Sequence, residues 1–198
     1  KIDHAVAYVE MIDKRFFLEN IIKNNADKKI LVFVRTKVRA ERVKTAMERV
    51  EIVTDTIHGD KAQEEREQTM HDFRAGSLKV LIATDVSARG IDIPDVEYVV
   101  NYDLPDTSAY YVHRVGRTGR GNQRGEAISL CSGEEKELLA EIERNLGKSI
   151  ATINITKKEY KGVKDATDEK LNDWKSLMKE IAAEDEEYKK RKKKKRKK

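Results

Sequence analysis

From Tyr111 to Arg120 the chain reads Tyr-Val-His-Arg-Val-Gly-Arg-Thr-Gly-Arg, with three arginines at intervals of three behind one histidine. Guanidinium groups are planar, permanently charged and able to grip an oxyanion through two hydrogen bonds at once, so such an array suits a polyphosphate. Residues three apart on a helix share a face, which would let Arg114, Arg117 and Arg120 converge on one target. Gly116 and Gly119 lie between them and would let a ligand or a second backbone come close. Arginine aimed at a transferring phosphoryl group is worth about three to five orders of magnitude in rate. Upstream lies Ala83-Thr-Asp-Val-Ser-Ala-Arg-Gly-Ile-Asp-Ile-Pro94, whose Asp92 could accept hydrogen bonds from ribose hydroxyls. An isolated Arg-x-x-Arg would equally fit a solvated basic turn or a flexible RNA-binding segment.

These residues need a scaffold, and the first 155 positions supply a pattern for one. Short apolar runs at Ala5–Val9, Lys29–Val34, Val53–His58, Lys79–Ala83, Tyr98–Tyr102 and Ala127–Cys131 read as strands. Between them, roughly Arg15–Asn24, Val38–Val50, Gln63–Ala75, Ser108–Val115 and Glu134–Leu146 read as helices. Ile30–Val34 and Val80–Ala83 are continuously apolar, as strands covered on both faces are. Val43, Ala46, Met47 and Val50 mark one apolar helical face, and Gly76 stands where a helix C-cap would. The alternation predicts a parallel α/β sheet with helices on both faces. Ligands bind beyond the carboxyl ends of such strands. Arg35-Thr36, His58-Gly-Asp60 and Thr84-Asp85 each follow a strand, so the three loops are expected along one edge. Gln63 and Arg66 fall in the first turn of a helix, where free N–H groups and the helix dipole favour phosphate.

Together, the two segments at 83–94 and 111–120 closely resemble motifs V and VI of the DEAD-box RNA helicases. His58-Gly-Asp60 with Gln63-x-x-Arg66 and Phe73-Arg74 is similar to the family's motif IVa, and Leu31–Thr36 to motif IV, the least distinctive of the set. The resemblance runs from about Ile2 to Ile155 and implies a RecA-like domain. It implies that Arg117 and Arg120 are the two arginine fingers at the γ-phosphate of ATP, with Gly90 and Asp92 at the nucleotide. His113 and Arg114 would couple the nucleotide and RNA surfaces. Arg35, Thr36, Gly59, Gln63, Arg66, Thr84 and Asp85 would face RNA, gripping sugar and phosphate without reading bases. Several related helicase groups carry glutamine at position 113, and His113 with Ser87-Ala-Arg89-Gly-Ile-Asp92 argues against a DNA-processing helicase of the same superfamily.

The expected whole is an ATP-dependent RNA helicase that separates short duplexes locally, and this chain looks like its C-terminal half. Walker A and Asp-Glu-Ala-Asp segments do not occur in it; Gly147-Lys-Ser149 is no substitute, because Ile142 stands where the loop needs glycine. ATP with Mg²⁺, the metal held by an N-terminal RecA-like domain, is the expected cofactor. The chain alone is expected to be inactive. RNA and that N-terminal domain are the expected partners, with no membrane and no stable oligomer. The alternative is a non-catalytic RNA-binding module.

Composition divides the chain further. The 198 residues carry a net +5, yet all ten residues of Lys189–Lys198 are basic, so the remainder is net −5. A block this dense repels itself and attracts polyanions; it reads as a disordered RNA tether. Residues 1–155 are expected to form the helicase domain, 156–188 a partly helical extension carrying the stripe Leu171, Trp174, Leu177, Met178 and Ile181, and 189–198 the tail. Cys131 is the single cysteine, which excludes a disulfide framework and a thiolate metal site. There is no signal-peptide pattern and no run of about 18 apolar residues. These features predict a cytoplasmic protein.

Overall fold

In the computed structural model, residues 2–88, 93, 96–119, 124–166, 182, 183 and 186 are described. The chain divides into two compact units, Lys1–Thr156 and Lys157–Lys198. Seven strands of the first unit form one sheet: β1 (Ile2–Tyr8), β2 (Ile30–Phe33), β3 (Asp55–Ile57), β4 (Val80–Ala83), β5 (Tyr98–Asn101), β6 (Gly125–Cys131) and β7 (Ala151–Thr152). Their order is β3-β4-β2-β5-β6-β1-β7, and every pair is parallel. Helices α1 (Lys14–Asn24), α2 (Lys37–Glu48), α3 (Gln63–Ala75), α4 (Asp85–Ala88), α5 (Ser108–Val115) and α6 (Lys136–Leu146) connect them, and α7 (Lys157–Asp165) belongs to the second unit.

Strand order and handedness assign the helices to faces. The steps from β1 to β2 to β3 run one way across the sheet, and those from β3 through β4 and β5 to β6 run back. Because parallel crossovers are right-handed, α1 and α2 cover one face and α3, α5 and α6 the other. The packing agrees. Phe33, Leu81, Ala83, Val99 and Cys131 share one core cluster with Phe73 of α3, Tyr111 and Val115 of α5 and Ile142 of α6. All four residues of β2 and of β4 are buried, as their unbroken apolar runs predict.

Several boundaries differ from the sequence expectation for local reasons. The third strand is Asp55–Ile57 and leaves out Val53, which is 75% exposed. The two-residue β7 carries no apolar run and exists because β1 offers it a partner. Thr84-Asp85 is not a plain loop: α4 begins at Asp85. Gly76 caps α3 with φ 83°, the left-handed conformation that glycine adopts without steric cost. The stripe from Leu171 to Ile181 and the tail Lys189–Lys198 lie outside the described residues.

Candidate functional site

The sheet order sets β3, β4 and β2 side by side, with Ile57 and Phe33 both in register with Ala83. The loops that follow therefore form one rim at the carboxyl edge, as the sequence expected. Arg35 is partly exposed; its N–H donates to Asp103 Oδ2 at 2.8 Å and its Nη2 to the Leu104 carbonyl at 3.3 Å. Thr36 is the N-cap of α2, its side chain accepting from Arg39 N. The N-terminus of α3 is different, because its cap residue, Ala62, has no side-chain acceptor. In its first turn Arg66 Nη2 donates to Gln63 Oε1 at 2.7 Å.

Behind the rim, buried polar pairs hold the 58–62 loop. His58 Nδ1 accepts from Asp60 N at 3.2 Å, so the ring proton sits on Nε2 and donates to Glu41 Oε1 at 2.7 Å. Burial raises the pKa of Glu41, but hydrogen bonds from Thr56 and His58 and the charge of Lys44 outweigh it and hold the carboxyl below its usual range. Asp55 is drawn lower still, to about 2: burial opposes ionisation, while hydrogen bonds from Lys61, Thr69 and Thr56 N and the charge of Lys61 overcome it. A Cβ at Gly59 would meet only the flexible end of Lys37, at 3.8 Å. Nothing inside the domain requires glycine there.

Two of the expected rim residues face inward. Thr84 is 6% exposed, with its N–H and hydroxyl on Ser87 Oγ at 3.1 and 3.0 Å. Ser87 Oγ in turn donates to the Ile57 carbonyl at 2.8 Å. The Asp85 carboxylate is occupied by Arg114. The reason is α4, which turns both side chains back toward β3 and α5.

The arginine array does not form a single helical face. Helix α5 starts at the Thr107 cap and stops at Val115, with Gly116 as C-cap. Arg114 is in its last turn and 1% exposed. Its Nε and Nη2 donate to the two oxygens of Asp85 at 2.6 and 2.7 Å, and its Nη1 to the Asp103 carbonyl at 2.7 Å and Asn101 Oδ1 at 3.3 Å. The guanidinium also lies 5.0 Å from the Phe33 ring centre, a cation–π distance. Arg117 lies beyond the helix and donates from Nη2 to His113 Nε2 at 3.1 Å and to the Ala88 carbonyl at 3.4 Å. Because guanidinium only donates, His113 Nε2 accepts, and the neutral ring carries its proton on Nδ1.

Three residues that sequence reasoning passed over, Thr118, Val96 and Gly125, fasten this turn. Thr118 is buried and donates from Oγ1 to the Val96 carbonyl at 2.5 Å, while Val96 N donates to the Arg117 carbonyl. Gly119 has φ 74°, and a Cβ on Gly125 would sit 2.4 Å from Gly119 N. Val96 precedes β5, so the turn sits at the amino end of that strand, away from the rim. Helix α4 spans the interval: its first residue, Asp85, meets Arg114 and its last, Ala88, meets Arg117. Gly90, Asp92 and Arg120, assigned to the nucleotide from sequence, lie outside the described residues.

Among the described residues, no group of three or more His, Cys, Asp or Glu side chains is placed to hold a metal ion, and no helix is long and apolar enough to cross a membrane. Burial pushes the Cys131 thiol up to about 11, so it is not a thiolate at neutral pH.

Comparison with known proteins accounts for this layout. The helicase conserved C-terminal domain family matches residues 13–122. The ATP-dependent rRNA helicase RRP3 of Vanderwaltozyma polyspora is 41% identical over 155 residues, covering 78% of this chain and 31% of that protein. The chain thus spans about a third of that relative's length. The Escherichia coli DEAD-box protein SrmB, solved bound to regulator of ribonuclease activity A, superposes with a TM-score of 0.73 at 32% identity, over 78% of this chain and 92% of that one. Saccharomyces cerevisiae Dbp5 bound to RNA and ADP BeF3 superposes with a TM-score of 0.71 at 33% identity, over 82% and 44%. The motif spacing, the seven-stranded parallel sheet and these matches agree: the chain belongs to the DEAD-box RNA helicases, as their C-terminal, RecA-like domain.

Proposed function

We propose that this domain serves RNA-dependent ATP hydrolysis by presenting Arg117, with Arg120, to the γ-phosphate of a nucleotide held chiefly by an N-terminal RecA-like domain of the same protein. The observation that carries this reading is the unequal treatment of two arginines three residues apart. Arg114 is buried on a carboxylate inside the last turn of α5, whereas Arg117 lies beyond the helix end, half-buried, with Nη2 on the Ala88 carbonyl and His113. Anchorage of the turn at Val96 and Gly125 fixes where the guanidinium starts, which is what electrostatic stabilisation of a transferring phosphoryl group needs. Gly90 and Asp92 are assigned to the nucleotide by motif resemblance, and Mg²⁺ to the N-terminal domain.

The rim takes RNA in this reading. Arg35, Arg66 and Gln63 supply donors to sugar and phosphate, and the uncapped start of α3 offers free N–H groups beside them. Gly59 lets the strand come close. Thr84 and Asp85 act from behind, by placing Ser87 and Arg114. Dbp5 was solved bound to RNA and ADP BeF3 together, which supports a reading in which both ligands are held at the same time. Closure of the two domains would make hydrolysis conditional on RNA and open a short duplex locally.

The test is Arg117→Ala in the full-length protein, with ATP turnover measured with and without RNA. RNA-stimulated turnover should fall by about three orders of magnitude while the melting temperature stays put. Undiminished turnover would sink the assignment.

A further inference from the structure

At the carboxyl end of β5, on the rim side, runs Tyr102-Asp103-Leu104, which carries no role so far. Its middle residue is 1% exposed and touches both Arg35 of the rim and Arg114 of α5. The Asp103 carboxylate accepts Arg35 N on Oδ2 and Arg39 Nη1 on Oδ1, while its backbone carbonyl accepts Arg114 Nη1. Arg35 holds the same segment a second time, through Nη2 on the Leu104 carbonyl, and its Nη2 is 3.7 Å from Asp106 Oδ1. We propose that Asp103 is a positioning residue that transmits RNA occupancy of the rim to the arginine turn, an inference that rests on the functional reading above.

The opposite flank of the segment is fixed, and this gives the link its direction. Lys14 and Glu135 form a buried ion pair, with side chains 0% and 6% exposed. Lys14 Nζ donates to the Tyr102 carbonyl at 2.6 Å and Glu135 Oε2 accepts Leu104 N at 2.8 Å. Two arrangements of Arg35 follow. In this structure its guanidinium rests on the Leu104 carbonyl and beside Asp106; on RNA it would exchange that neutral carbonyl for a charged phosphate, the stronger acceptor of the two. With Tyr102 and Leu104 N pinned by Lys14 and Glu135, the change is taken up at Asp103 and passed through its carbonyl to Arg114. Arg114 connects onward through its Asp85 pair and through its own carbonyl, which accepts Arg117 N at 3.1 Å. Such a continuous set of contacts, with two settings that both sites bias, can carry coupling between them.

Asp103→Asn keeps the shape but turns one acceptor into an amide donor, facing either Arg35 N–H or the Arg39 guanidinium. In the full-length protein, the affinity of a fluorescein-labelled single-stranded RNA is measured with and without a non-hydrolysable ATP analogue and Mg²⁺; the ratio is the coupling. Wild type should give a ratio of about tenfold or more, and Asp103→Asn should bring it to within about twofold of one. The affinity for RNA without nucleotide, and for the analogue without RNA, should each stay within about twofold of wild type. Should Asp103→Asn fail to fold, Arg39→Gln, at a partly exposed side chain, cuts the same link and should lower the ratio severalfold. A wild-type ratio in the folded variants, with or without weaker individual affinities, would overturn the inference and leave the functional reading standing. A ratio near one in wild type itself would overturn both.

Discussion

The carboxyl-edge rim and the arginine turn are both assigned to phosphate, yet they are built by opposite means. The rim is braced from behind by ion pairs, Asp55 with Lys61 and Lys44 and Asp103 with Arg39, and by the hydrogen bond from His58 to Glu41. The groups at its surface are long side chains, Arg35 and Arg66 among them, and the start of α3, whose cap residue has no side-chain acceptor. The turn is braced by backbone contact, with Thr118 on Val96 and Gly119 against Gly125. The lesson is in Arg114 and Arg117. Arg114 is buried and joins α4 to the strand end at Asp103, while Arg117, three residues on, lies beyond the helix and half-buried. Like spacing in sequence does not mean like function.

The sharpest way to break this comparison is to remove each arginine in turn and follow unfolding in urea. Arg114→Ala strands Asp85 in a partly buried pair and should cost about 3 kcal/mol or more. Arg117→Ala should cost less than about 1 kcal/mol. Equal losses would mean that Arg117 is structural as well. Next comes the backing of the turn. Gly125→Ala pushes a methyl group onto Gly119 N and should cost about 2 kcal/mol by overpacking. It should also lower RNA-stimulated turnover without weakening RNA binding, since the rim does not touch it; weakened RNA binding would show that the two regions are not separately built.

The charge bracing of the rim predicts a pH dependence. Asp55 is depressed from 3.8 to about 2 on folding, so its stabilisation is present above pH 3.8 and is lost as pH falls through about 2. Asp55→Asn should therefore lower stability by about 1–2 kcal/mol at pH 7, with the gap to wild type closing toward pH 2 in denaturant titrations. A gap that stays constant with pH would mean that packing, not charge, holds the loop. Smallest in stability is Gly59→Ala, which meets nothing rigid and should change unfolding by less than about 1 kcal/mol. RNA affinity, read by fluorescence anisotropy, should nevertheless fall severalfold; unchanged affinity would remove Gly59 from the rim.

Much of this was open to reading from the chain alone, because the deciding forces are local. Unbroken apolar runs at 30–34 and 80–83 require cover on two faces, which only a parallel sheet between helix layers supplies, and the polar residues after each run then fall at the carboxyl edge. The 3.6-residue periodicity of the intervening segments and the glycine at position 76 placed helices and one of their ends. Asp103 and Thr118 escaped notice because their importance lies in partners 64 and 22 positions away, separations that carry no periodic signal. Asp103 leaves one trace, a carboxylate directly after an apolar strand.

What the sequence by itself determined is the inventory: three arginines, a histidine, a polar rim and the order of strands and helices that carries them. Which arginine turns inward was decided only by the tertiary structure. The first residue of α4 and the carbonyl of Asp103 become neighbours because β2 sits between β4 and β5 in the sheet. There the Asp85 carboxylate and the Asp103 carbonyl compensate the desolvation of one guanidinium, and Arg114 reaches both.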